Sequence, residues 1–164
     1  MTYDKTTVWL HAGLAFGVST QLIFGLVMDA PRPGVPTGGA GDLFFQAHRI
    51  IGLAVLALLS AHWLWQLSGR ASNGLKSLYP WLIKRPPSSP KPSRLFVLAG
   101  TMQGLGLLLA SVMALTGVTL FFGLATDGGA SASISLIRDL HGNMAIPLWI
   151  YLGLHLAISL FRFL

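Results

Sequence analysis

The side chains of this sequence best suited to metal chemistry are its five histidines, His11, His48, His62, His141 and His155. His48 and His62 stand fourteen residues apart, and so do His141 and His155. At 3.6 residues per turn, fourteen residues fall about 40° short of four turns, so on a helix each pair shares one face. Its members are about 21 Å apart along the axis. Two histidines that meet across a helix bundle can take both axial positions of a haem iron. Zinc is the rival metal, but metal sites inside bundles usually include carboxylates. Here there is no Glu, and the five Asp fall in expected loops or at span edges. A purely structural reading, histidines bonding from helix to helix, must account for all five at once, although ionisable groups in lipid are costly. The absence of cysteine excludes iron–sulfur clusters, thiolate sites, disulfides and covalent haem attachment, so a haem here is of b type.

The elements that must position these histidines are membrane spans. Hydrophobic residues make up 53% of the chain and charged ones only 10%, against about 25% charged in soluble domains. Four stretches have the roughly 20 apolar residues that a helical span needs, near 7–28, 45–67, 95–122 and 140–164. The expected fold is an all-α membrane protein, a four-transmembrane-helix up-and-down bundle forming one domain over 1–164. The opening MTYDKTTVWLHAGL lacks a small-residue cleavage site and reads as the start of a retained span.

Loop charge sets the expected orientation. Residues 29–43 carry one basic residue, Arg32, and residues 124–139 carry Arg138. Residues 68–94 carry Arg70, Lys76, Lys84, Arg85, Lys91 and Arg94 with no acid. The positive-inside rule puts that loop in the cytoplasm, giving N-in and C-in termini. The net charge of +6 therefore reads as a topology signal, not as a nucleic-acid surface. Within the loop, NGLKSLYPWLIKRPP suits a short segment at headgroup level, and PPSSPKPSR an extended linker into the third span.

Spans two and four run the same way, so His48 and His141 share an outer level and His62 and His155 an inner one. His11, near the start of span one, joins the inner level. The outer pair has no competitor. At the inner level, spacing leaves both His11–His155 and His62–His155 open, and the remaining histidine would donate to a haem carboxylate or a carbonyl. Gly13, Gly52, Gly104, Gly106 and Gly117 offer room for a flat ring between helices.

YDKTTVWLHAGLAF, FQAHRIIGLAV, LTGVTLFFG and LHGNMAIPLWIYLGLHLAI resemble, span by span, the bacterial cytochrome b561 family. Related proteins are the cytochrome b subunits of nickel–iron hydrogenases and formate dehydrogenases. The resemblance covers nearly the whole chain. It implies two b haems, an outer one on His48 and His141 and an inner one on His11 and His155. Relatives commonly have arginine where this chain has His62, and often a second arginine at Gln66. His62 thus stands either as a partner of a haem carboxylate or as the alternative inner ligand. Arg49 and Arg138, beside the outer histidines, suit the outer carboxylates.

Two filled axial positions disfavour oxygen binding and favour electron transfer. The expected function is transmembrane electron transfer between a quinone or quinol and another redox protein, a cytochrome or a dehydrogenase subunit. The expected location is the bacterial inner membrane, as a multi-pass protein in contact with lipid. One alternative is a haem-bearing anchor subunit of a larger redox complex. Another is a non-redox structural subunit.

Overall fold

A computed structural model describes residues 4–30, 40–71, 74–79, 94–123 and 131–161. It contains five helices, α1 Lys5–Val27, α2 Ala40–Leu67, α3 Gly74–Leu78, α4 Arg94–Gly123 and α5 Ala132–Phe161. All but α3 are long and apolar enough to cross a membrane. In such spans the backbone satisfies its own polar groups, which is what hydrocarbon demands. The described residues contain no strand, and the expected all-α up-and-down bundle is what forms.

Local chemistry fixes the helix ends. Asp4 caps α1: its Oδ1 accepts from the Thr7 amide at 2.8 Å and its Oδ2 from the Thr7 hydroxyl at 2.8 Å. Trp65, near the end of α2, donates from Nε1 to Asp4 Oδ1 at 3.2 Å and to Thr7 Oγ1 at 3.1 Å. The first turn of α1 is thereby tied to the last turn of α2, as antiparallel neighbours require. Gly69, at φ +72°, supplies the left-handed residue that ends α2.

Two helices begin earlier than the hydropathy pattern suggests. Helix α2 starts at Ala40, inside the expected loop 29–43 and just beyond that loop's last proline, Pro36. Helix α5 starts at Ala132, not near 140: Ser131 Oγ accepts from the Ile134 amide at 3.3 Å. Asp42 and Asp139, expected in loops or at edges, therefore lie within helices. The expected linker PPSSPKPSR lies outside the described residues except for Arg94, the first residue of α4.

Helix α1 packs on α2, α2 on α4, and α4 on α5; α3 lies mainly against α4. The core of Leu14, Val55, Leu59, Leu107 and Ala110 sits where α1, α2 and α4 meet, and α3 adds Leu78 and the adjoining Tyr79. The Tyr79 hydroxyl donates to the Gly104 carbonyl at 3.2 Å. A β-carbon at Gly104 would collide with the Leu78 carbonyl. Gly104 thus admits α3 to the surface of α4, where the sequence had suggested space for a ring.

Candidate haem sites

The bundle brings four of the five histidines together as two pairs at different depths. At the level expected to be the outer one, the His48 and His141 rings have centroids 6.3 Å apart and planes at 90°. The Thr116 hydroxyl is 2.8 Å from His141 Nδ1 and also donates to the Val112 carbonyl at 2.8 Å. A hydroxyl has one proton. With that proton on the carbonyl, Thr116 accepts from His141 Nδ1–H, which leaves Nε2 with a free lone pair. That is the tautomer a metal-binding imidazole needs. A β-carbon at Gly117 would come within 3.2 Å of the His141 ring, so this glycine does make room at the site.

Across from it, Gln21 donates from Nε2 to the His48 carbonyl at 2.7 Å. A cavity of about 470 Å³ opens between the two histidines, with Arg49, Gly52, Gly117 and Arg138 in its wall. The Arg49 guanidinium donates to the Phe121 carbonyl at 3.1 Å and lies 4.5 Å from the centre of the Phe121 ring. This cavity therefore carries two cations, suited to anionic groups on whatever fills it. Gly52 also lets Gln21 approach, since a β-carbon there would stand 3.4 Å from the Gln21 amide nitrogen.

At the inner level, the His11 and His155 rings have centroids 5.9 Å apart and planes at 58°. Tyr151, one turn before His155, stacks on it at 5.5 Å and 23°, with its hydroxyl 3.5 Å from Nδ1. Gly106 accommodates the Tyr151 ring, and Gly13 faces Leu58 on α2. The inner cavity measures about 610 Å³ and is lined by His11, His155 and also His62. His62 is buried, and its Nδ1 has no hydrogen-bond partner among the described residues. Among those residues, no three His or Asp side chains converge as a tetrahedral zinc site would require.

Val18, Ala110 and Leu148 line both cavities and form an apolar partition between them. Two imidazoles each about 2 Å from one metal have ring centres roughly 6 Å apart, so the centroid distances of 6.3 and 5.9 Å would allow His48 with His141, and His11 with His155, each to hold one metal. The residues present fit a flat metal macrocycle at each level.

Sequence reasoning did not single out Thr116, Tyr151 or Gln21. Tyr151 was legible as the residue four before His155 on a helix. Thr116 and Gln21 reach their partners across helices, and nothing in their local sequence signals it.

A family model described as prokaryotic cytochrome b561 matches residues 2–164. No curated protein and no solved structure matches the chain.

Proposed function

The chain belongs to the prokaryotic cytochrome b561 family, and on that premise we propose that it is a two-haem cytochrome passing electrons across the membrane between the quinone pool and a redox partner protein. Family membership implies haem b and electron transfer in a membrane. The carrying observation is the pair of histidine pairs, with ring separations of 6.3 and 5.9 Å at two depths. His48 and His141 would hold the outer haem, and His11 and His155 the inner one. A haem held at either pair would supply a one-electron couple.

The protein's own residues set the conditions. Thr116 holds His141 in the tautomer with Nε2 free, and Tyr151 braces the His155 ring. Arg49 and Arg138 offer positive charge to the carboxylates of the outer group. Val18, Ala110 and Leu148 form an apolar partition between the two cavities, which opposes the passage of ions. The basic loop 68–94 supports an N-in, C-in orientation in the bacterial inner membrane.

The test is haem stoichiometry. A pyridine haemochrome assay on the purified protein should give two non-covalent b haems per chain. A ratio of one would leave one of the two histidine pairs without its assigned role.

A further inference from the structure

The two rings of the outer pair are held in different ways. Thr116 meets the His141 ring directly, whereas His48 Nδ1 is buried and has no hydrogen-bond partner among the described residues. A metal-binding imidazole needs a group that fixes its orientation. Resting on the assignment of His48 and His141 to the outer haem, we propose that Gln21 is the positioning residue of His48, fixing the turn of α2 that aims this ring at His141.

Gln21 stands on α1 and meets His48 at both its main chain and its ring. Its Nε2 donates to the His48 carbonyl at 2.7 Å. A carbonyl oxygen has two lone pairs, so this bond adds to the α2 ladder and does not replace it. The main chain of Gln21 lies beside the His48 ring. Two glycines open the space for these contacts. A β-carbon at Gly52, one turn after His48, would stand 3.4 Å from the Gln21 amide nitrogen. One at Gly25, one turn after Gln21, would stand 4.0 Å from His48 Cε1. Any longer side chain at either place would reach into the contact between the two residues.

The place of the bond along α2 gives it this role. Trp65 also ties α2 to α1, through Asp4 and Thr7, but it stands seventeen residues after His48, about 25 Å along the helix. A tie so distant leaves α2 free to turn slightly at His48. Gln21 fixes the helix there, on the ligand residue itself. Thr20, its polar neighbour on α1, donates to the Phe16 carbonyl of its own helix at 2.9 Å and does not share the task. Ring orientation is open to measurement. The magnetic anisotropy of a low-spin ferric haem with two imidazole ligands depends on the angle between their planes, which is 90° for His48 with His141 and 58° for His11 with His155.

The experiment records electron paramagnetic resonance spectra of the oxidised, haem-loaded protein in lipid nanodiscs, and follows haem loss to excess apomyoglobin. His48→Ala supplies the spectrum of the inner centre alone. Gln21→Met, close to its parent in length but without a donor, should displace the low-field line of the outer centre. It should also lose the outer haem about three- to tenfold faster, as expected for one hydrogen bond, with the inner centre unchanged. Gln21→Glu, neutral in lipid and so keeping a donor, should return both readings toward the parent. Complete loss of the outer haem in Gln21→Met, with the inner haem and Gln21→Glu intact, would support the role as well. An undisplaced line in Gln21→Met would overturn it, whatever the rate of haem loss, and so would equal change at both centres. Gln21→Glu behaving as Gln21→Met does would overturn the part given to the donor. Persistence of the outer line in His48→Ala would instead overturn the ligand assignment.

Discussion

Replacing Thr116 by valine removes one oxygen from the outer site and little else, because the two side chains have nearly the same shape. In the native chain that oxygen lies 2.8 Å from His141 Nδ1 and donates its one proton to the Val112 carbonyl at 2.8 Å, which leaves it to accept from Nδ1–H. The helix loses nothing essential, since the carbonyl's main-chain bond remains. The imidazole loses the contact that fixes both its rotation and its tautomer. Groups that orient a metal-binding histidine typically contribute 10–100-fold in affinity, about 1.4–2.8 kcal/mol. We therefore expect Thr116→Val to bind the outer haem about 10–100-fold more weakly and the inner one normally, because His11 and His155 make no contact with Thr116. Haem titration of the apoprotein, with His48→Ala identifying the spectrum of the inner centre alone, measures this directly. Equal weakening of both centres, or none, would refute the argument that Thr116 sets the His141 tautomer.

Further outcomes follow from the same geometry. His48→Ala or His141→Ala should abolish the outer haem and leave the inner one, since no third histidine shares that level; full occupancy of both in either variant would contradict the pairing. His11→Ala should lose the inner haem while His62→Ala retains it, because the His11 and His155 rings lie 5.9 Å apart and His62 stands outside that pair. His62→Arg should keep the inner haem as well, since a guanidinium has no lone pair for iron; its loss there, with retention in His11→Ala, would move the ligand to His62. A reporter fused after Pro92 should be cytoplasmic and one after Gly38 external, and the reverse result would invert the orientation.

The histidine spacing, the four apolar spans and the charged loop were all legible along the chain, because each depends on helix period or on transfer into lipid. These are properties of local sequence. The outer pairing followed as well, since two histidines at one level leave no choice. The inner pairing did not, for fourteen-residue spacing places His62 and His155 at one depth without fixing which way either helix is turned. Helix rotation is set by packing: Trp65 on Asp4 and Thr7, and Trp63 on Ser111 at 3.0 Å, hold α2 against α1 and α4. In the rotation observed the His11 and His155 rings lie 5.9 Å apart, while His62 lines the same cavity. The glycines divide for the same reason. Composition alone suggested five makers of space for a ring, but only the packed helices separate Gly117, beside His141, from Gly104, which admits α3, and Gly106, which accommodates Tyr151. What the sequence determined by itself is the set of histidines and their depths. Which of them meet, and which groups hold their rings, is decided by contacts between residues far apart in the chain, such as Thr116 with His141, and those exist only once the helices are packed.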